Sequence, residues 1–506
     1  MAYPVYALAL AGVTLYFVVR GAASYVAAYR FKKAHGCKPE RKLPQSERIL
    51  GVGNYRIQRQ AFKNHRILIM AKERFQANGP TFSSVTLGLK FFHTIDPENV
   101  KALLATNFGD FGLGVRYKTF GPLLGRGIFT SDGVAWEHSR ALVRPSFTRT
   151  QVADLDTFEA HVNHLISKIP KDRSTVDLQT LFFQLTLDSA TEFLFGESVN
   201  SLGSMEGSDQ HRFGTAFDYA QSKIGNRDRL DWLTSIFARS EFDRACTFVH
   251  AFVDQIVYRV LEKTKSYDAE KVDSFDEPER YVFLEEVAKR TRDPKQLRDE
   301  SLNILLAGRD TTASLLSHTF HVLARRPDIF KKLKAEVDEL EGKKPTYETL
   351  KGMKYLKYVL NESLRIYPVV PGNARFANKP TTLPRGGGPD GNSPIYIPKG
   401  GVVTYNVATM HTRKDIYGPD ADEFRPERWA PEEGLRPGWG YLPFNGGPRI
   451  CVGQQFALTE ASYTIVRLLQ EFDGIESRDE TPWTEKLALT MAIQTGVQVS
   501  MMPKAT

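Results

Sequence analysis

Cysteine is scarce in this chain. Three occur in 506 residues, Cys37, Cys246 and Cys451, far apart and odd in number. No disulfide framework fits that count, which points to a reducing compartment. No internal repeat, low-complexity tract or nucleic-acid motif occurs, and no linker divides the chain after residue 45. A large excess of one charge is also missing. The formal charge of +8 is modest for this length; it fits a scattered solvated surface, and also an anionic membrane or an acidic partner. No basic residue precedes the first apolar stretch, so a cleaved signal peptide is not expected.

What is present begins at that stretch. Tyr3 to Val19 carries no charge. As a helix it spans roughly 26 Å against a bilayer core of about 30 Å. Arg20 interrupts it, and an apolar continuation runs from Gly21 to Tyr29; Arg20 can snorkel to the headgroups while the helix continues at a tilt. Arg30, Lys32, Lys33, Lys38, Arg41 and Lys42 follow. Positive-inside bias then puts the rest of the chain in the cytosol behind a single-pass anchor. The expected division is 1–44, anchor and basic, proline-containing hinge, and 45–506, one folded domain. A hydrophobic content of 42% suffices for a large core.

Phe444-Asn445-Gly446-Gly447-Pro448-Arg449-Ile450-Cys451-Val452-Gly453 places one cysteine in a glycine-rich loop before a helical run, Gln454 to Leu469. Glycines let a backbone turn sharply and approach a flat ligand. Loop amides and the positive end of the following helix favour a thiolate, and haem iron accepts a thiolate as the proximal ligand that promotes O–O cleavage. Upstream, Trp136 and Arg140 are four apart and share a helix face. An indole N–H and a guanidinium can bind haem propionates. His138 between them lacks metal-ligand spacing and reads as a surface residue.

Asp293-Pro294 and Arg325-Arg326-Pro327 bracket a long helix with an N-cap, a proline at the first position, and terminal cations before a stop. Its middle is apolar nearly all round, as in a helix that crosses a core. Inside lies Ala307-Gly308-Arg309-Asp310-Thr311-Thr312. Thr311 can bond back to the carbonyl of Ala307 and open the helix. Cleaving O–O needs protons, and an alcohol beside a carboxylate makes a short relay: Thr311 as donor to oxygen, Asp310 as proton supply.

Further readings concern scaffold. Ser83 to Leu87 and Lys90 to Ile95 read as strands flanking a turn at Gly88. Phe108 to Gly114 reads as a mobile lid beside an apolar pocket. Residues 151–292 read as mostly amphipathic helices, with a solvated, charged run over 262–292. Residues 380–400 read as a loop between short strands, and Leu487 to Met501 as a terminal hairpin turning at Gly496.

The spacing F-x-x-G-x-R-x-C-x-G, the Trp136/Arg140 pair, the 307–312 segment, and Glu362-Ser363-Leu364-Arg365 with Phe424 to Trp429 together resemble the cytochrome P-450 superfamily over residues 45–503. Phe108 to Gly114, Leu305 to Ser314, Gly387 to Gly391 and Phe444 to Glu460 look like its fungal alkane and fatty-acid ω-hydroxylases. The resemblance implies a mostly α fold with small β-sheets (α+β) behind the anchor. It implies haem b with Cys451 as its metal ligand, and a cofactor site of Trp136, Arg140, Arg375, Arg449, Phe444 and Gly453. Arg375 and Arg449 would hold propionates; Glu362, Arg365 and Arg428 would support the haem loop; Ala488 to Met491 would reach the substrate pocket.

It further implies an endoplasmic-reticulum membrane enzyme fed from NADPH by a cytochrome reductase, inserting oxygen from O2 into a small apolar substrate. Terminal hydroxylation of fatty acids or n-alkanes is expected first. Tailoring of fungal secondary metabolites is the alternative with the same chemistry, and a haem sensor or electron carrier the distant one.

Overall fold

The computed structural model describes residues 2–47, 49–148, 155–205, 207–225, 236–269 and 281–504. Stretches 151–154, 226–235 and 270–280 of the expected helical and charged runs lie outside the described residues.

Helix α1 (Ala2–Ala34) comes first. Its 11–34 portion is long and apolar enough to cross a membrane and is not buried against the protein. Then follow α2 (Val52–Lys63), α3 (Ile67–Asn78), strands β1 (Thr81–Thr86) and β2 (Leu89–Thr94), the two-residue β3 (Phe111–Gly112), and α4 (Arg116–Leu124). Next come α5 (Gly133–Val143), β4 (Val176–Asp177), α6 (Leu178–Phe195), α7 (Asp209–Gly225) and α8 (Ile236–Ala269). The central helix is α9 (Pro294–Leu323), and α10 is Lys354–Ile366. Strands β5 (Gly372–Ala377), β6 (Thr381–Gly387), β7 (Ser393–Ile397) and β8 (Val402–Asn406) precede α11 (Gln454–Glu471). Strands β9 (Phe472–Ser477), β10 (Glu485–Leu487), β11 (Met491–Ile493) and β12 (Gln498–Pro503) end the chain. The fold is mostly helical with small sheets.

The caps of α9 lie where the sequence puts them. The Asp293 carboxylate accepts from the Lys295 amide at 3.0 Å, and Pro294 opens the helix. From Asp299 to Leu323 the helix is buried except at Ala307, Gly308 and Thr311. Its C-terminal half packs Leu316 and Phe320 against Phe182 of α6, Leu364 of α10 and Ile465 of α11. Its N-terminal half packs Leu297 and Leu305 with Phe213 and Phe217 of α7 and Val253 of α8. A third apolar cluster lies around the five-stranded sheet, with Phe82, Phe92, Val403 and Tyr405.

That sheet has the order β1-β2-β8-β5-β3; β2 and β8 are parallel and the other neighbours antiparallel. The β1–β2 hairpin turns at Leu87 and Gly88, both at positive φ, as expected. Three expectations change. Phe108 to Gly114 is no open lid: Phe111 and Gly112 form β3 on the sheet edge, and Phe111 and Leu113 are buried. The glycine- and proline-rich stretch 381–387 is a strand, β6, paired with β7 through a register shift between Leu383 and Gly387. The C-terminal hairpin turns between β10 and β11, not at Gly496. Beyond Gly496 (φ +77) the chain leaves that pair, and β12 joins β9 and β4.

The segment between α1 and α2 carries backbone pairing. Lys38 N donates to Pro394 O (2.9 Å), Gly388 N to Pro39 O (3.0 Å), Ser83 N to Arg41 O (2.8 Å) and Leu43 N to Ser83 O (2.7 Å). The last turns of α1 lie on β7, with the Phe31 ring 5.4 Å from that of Tyr396.

Candidate active site

The cysteine loop is held by its own backbone. Cys451 N donates to Phe444 O and Ile450 N to Gly447 O, each at 3.0 Å. Asn445 and Gly447 take positive φ, 63° and 68°. A Cβ on Gly447 would stand 2.0 Å from the Leu104 carbonyl oxygen, so only glycine fits. Gly453 has an ordinary φ of −92° and caps α11. Phe444 packs against the helical core. Cys451 is accessible although protein surrounds it, as a side chain lining a cleft would be. Burial pushes its thiol up, and the Gly453 amide and the Arg140 guanidinium oppose that. Of the loop amides and helix end expected from the sequence to favour a thiolate, the Gly453 amide does so; Arg140 adds to it unforeseen, and burial opposes both. A coordinating metal would remove the proton outright.

Four arginines and a tryptophan converge beside this loop. Trp136, on α5, is buried, and the Arg449 guanidinium lies 4.4 Å from its ring centre. Arg449 also donates to Ser131 O (2.9 Å) and to Asp132 (2.7 Å). Arg140 lies over the same indole at 5.9 Å. Arg375, on β5, is buried and donates to Ala374 O (2.8 Å) and Asn373 Oδ1 (3.2 Å). Arg116, on α4, donates to the same Asn373 oxygen at 2.8 Å. No motif announces Arg116; it joins only because α4 and β5 meet in the fold.

Burial first, and then like charge, hold Arg116 and Arg449 down to about 10; Asp132 is the opposing carboxylate in both cases. Crowded guanidiniums with so little counter-charge fit a dianionic group, and a haem with two propionates is one. The residues present therefore fit haem, with Cys451 supplying the sulfur. Asp132, also missed in the sequence, ties the cluster to β3 by accepting from Leu113 N at 2.8 Å.

On the central helix the Thr311 hydroxyl donates to Ala307 O at 2.7 Å, the back-bond expected from sequence, yet the helix runs unbroken. Ala307, Gly308 and Thr311, at i, i+1 and i+4, make one partly open stripe on an otherwise buried rod. The Asp310 carboxyl takes another direction. It accepts from Arg309 Nη1 (3.0 Å), from Gln221 Nε2 of α7, and weakly from Thr490 in the β10–β11 turn (3.4 Å). Burial raises it to about 6 against the pull of Arg309. The structure thus separates the two members of the expected relay: Thr311 borders the open stripe and Asp310 faces α7.

Beneath the cysteine loop, Glu362 accepts from Arg365 Nη2 (2.7 Å) and Nε (2.8 Å), from Trp429 Nε1 (2.9 Å), and from Arg428 Nε at 3.4 Å. The remaining guanidinium donors go to the Asp420 carboxylate, which accepts from Arg428 Nη1 at 2.9 Å, and to carbonyls, among them His411 O, Ala421 O and Tyr417 O. A buried ion cluster is tolerable only when so fully satisfied. His411 passes the support on: its Nε2 accepts from Leu442 N at 2.8 Å, just before the loop.

A profile described as Cytochrome P450 matches residues 44–499. Cytochrome P450 monooxygenase himC of Aspergillus japonicus is 45% identical over 99% of this chain and 90% of its own length. Cytochrome P450 52A13 of Debaryomyces hansenii is 46% identical over 95% of this chain and 94% of its own. Cytochrome P450 52A1 of Candida tropicalis is 50% identical over 82% and 79%. A thiol-bearing glycine loop, a cationic rim suited to two carboxylates and an open helix stripe are thus joined to a match along nearly the whole chain. On that ground the protein belongs to the cytochrome P450 monooxygenase family.

Proposed function

We propose that the enzyme hydroxylates the terminal carbon of long-chain fatty acids or n-alkanes, with electrons from NADPH passed on by a cytochrome reductase. It does so at the endoplasmic-reticulum membrane, held by α1 with the folded domain in the cytosol. The resemblance of Phe108 to Gly114, Leu305 to Ser314, Gly387 to Gly391 and Phe444 to Glu460 to the fungal ω-hydroxylases carries the substrate class. An exposed apolar helix at the amino terminus supports the location.

Haem b, when bound, supplies O2 activation and insertion of one oxygen atom into a C–H bond. The chain does the rest. Cys451 would give up its proton and hold the group through sulfur. Trp136, Arg140, Arg375 and Arg449, joined by Arg116, would hold its propionates. Phe444 shapes the loop by accepting from the Cys451 amide, and the Gly453 amide acts on the sulfur. The Thr311 hydroxyl, released from Ala307 O, donates into the open stripe, and Asp310 replenishes its proton once its carboxyl turns from Gln221 toward Thr311.

Tailoring oxygenation of a polyketide or terpene chain is the second reading. It is favoured by the match to the Aspergillus monooxygenase over 99% of this chain. Incubation with a reductase, NADPH and a mixed panel of alkanes, fatty acids and terpenes, with products read by mass, separates the two. Terminal alcohols from straight chains support the first reading, and turnover confined to rings or branched chains overturns it.

A further inference from the structure

Asn445 takes a positive φ of 63° in the cysteine loop without being glycine. Asparagine tolerates that backbone, but glycine takes it freely, so conformation alone does not explain the side chain. Its amide has two partners. Nδ2 donates across the loop to Arg449 O at 3.3 Å, just before Cys451. Oδ1 accepts from the Tyr405 hydroxyl of β8 at 3.0 Å. The Arg449 carbonyl can only accept, so the amide nitrogen must face it, and the oxygen is left for the phenol.

Tyr405 is buried. A buried phenol needs a partner for its hydroxyl, and Asn445 supplies it. The ring serves a second neighbour. The Arg375 guanidinium, on the adjacent β5, lies 5.8 Å from the ring centre, and Arg116 is within electrostatic reach of the phenol. Directly across the ladder from Tyr405 stands Asn373, whose Oδ1 accepts from both of those arginines. One strand residue therefore bears on both halves of the candidate site. Its hydroxyl reaches the loop that carries the sulfur, and its ring lies beside the cations suited to propionates.

We propose that Tyr405 and Asn445 are positioning residues that hold the cysteine loop and the propionate-binding arginines in one fixed relation. The phenol orients the amide, and the amide clamps the Arg449 carbonyl. Cys451 and the Arg449 side chain then keep their directions relative to Arg375 and Arg116. Both residues act through the loop and the arginines, not by contact with substrate. The proposal rests on the reading of Cys451 and these arginines as the haem site.

The test uses the full-length holoenzyme and the variants Y405F, N445G, N445D and Y405F/N445G. The readouts are the rate of haem transfer to excess apomyoglobin, the share of reduced protein with carbon monoxide that keeps the thiolate Soret band, and the melting temperature of the haem-stripped chain. Y405F removes one oxygen and leaves the packing, so it folds. It speeds haem transfer roughly threefold or more, the worth of one hydrogen bond, and lowers the thiolate share. N445G keeps the backbone conformation and does at least as much. N445D still accepts from Tyr405 but sets an oxygen against Arg449 O, so it loses haem faster than N445G. Adding Y405F to N445G changes neither haem transfer nor the band further, because both act through one amide. Additive effects, an N445D no worse than N445G, or a Y405F that matches the parent in haem transfer and band overturn the proposal. So does a lowered melting temperature with both haem readouts unchanged, which marks a packing role alone. A parent protein that never shows the thiolate band sinks the underlying reading of Cys451 instead, and the positioning role with it.

Discussion

Of three dispersed thiols, the one proposed as the ligand is set apart by where its backbone puts it. Cys37 is half-buried and Cys246 is buried; Cys451 alone is accessible, with a loop amide and a guanidinium acting on it. Cys451→Ala leaves that backbone intact and removes the sulfur. The reduced protein with carbon monoxide then loses the Soret band of thiolate ligation, while circular dichroism stays unchanged; an unaltered band refutes the assignment. Cys451, Trp136, Arg375 and Arg449 were legible because each sits at a fixed offset within a short motif. Arg116, Asp132 and Gln221 were not, because nothing local distinguishes an arginine on α4 or a glutamine on α7 from its solvated counterparts. Their partners lie 257, 317 and 89 residues away. Asp310 was legible as a residue and not as a direction, since a helix offers a side chain two neighbours and only packing chooses between them.

At the level of elements, local grammar succeeded where an element carries its own stop signals. The central helix is bounded by Asp293-Pro294 and by Arg326-Pro327, and its limits follow. It failed where glycine and proline lie inside a strand. Pro384, Gly386 and Gly387 made β6 look like a loop, although its edge position tolerates them. The cysteine loop offers a sharper test. The spacing weights Gly447 and Gly453 alike, but only Gly447 has positive φ and a carbonyl 2.0 Å from its missing Cβ; at Gly453 the nearest atom stands at 3.6 Å. Gly447→Ala therefore costs about 1–2 kcal/mol in backbone strain alone and more from displacing Leu104. Haem per polypeptide should fall below half of the parent's, with a lower melting temperature. Gly453→Ala should leave the melting temperature of the haem-stripped chain within error of the parent. Equal losses would place the constraint elsewhere. The segment after α1 gives a second test. Removing residues 1–34 takes away α1 and leaves the pairing of Lys38, Pro39, Arg41 and Leu43 with β1, β7 and the turn after β6. Removing 1–44 takes both. The first truncation should melt with the parent's folded domain and the second several degrees lower; coincident melting would mean that these strand-like contacts contribute nothing.

Across the whole molecule, buried ionisable groups set how stability responds to pH, and the signs oppose. His93, His321 and His411 are held to about 3 and His318 to about 4, burial leading in each. They stay neutral in the fold while the unfolded chain takes up protons below about 6.5, so each withdraws stability as pH falls. Glu300 and Glu460 act the other way. Burial lifts both from 4.5 to about 7, against a hydroxyl that donates to each, Ser139 and Ser189. Between 4.5 and 7 the unfolded chain has lost those protons and the fold keeps them, so stability is withdrawn as pH rises through that window and stays withdrawn above it. Each group accounts for roughly 3 kcal/mol at the alkaline end. Glu460 joins α6 to α11 through Ser189, directly behind the ligand loop, so its ionisation loosens the helix that Cys451 precedes. Glu460→Gln keeps the hydrogen bond and removes the titration. Denaturant unfolding at about pH 5 should show the variant near the parent; by about pH 8 the variant should be the more stable by roughly 3 kcal/mol, the gap opening steadily between. A gap that stays level across that range would mean the carboxyl is ionised in the fold throughout, and a partner other than Ser189 would have to stabilise the charge.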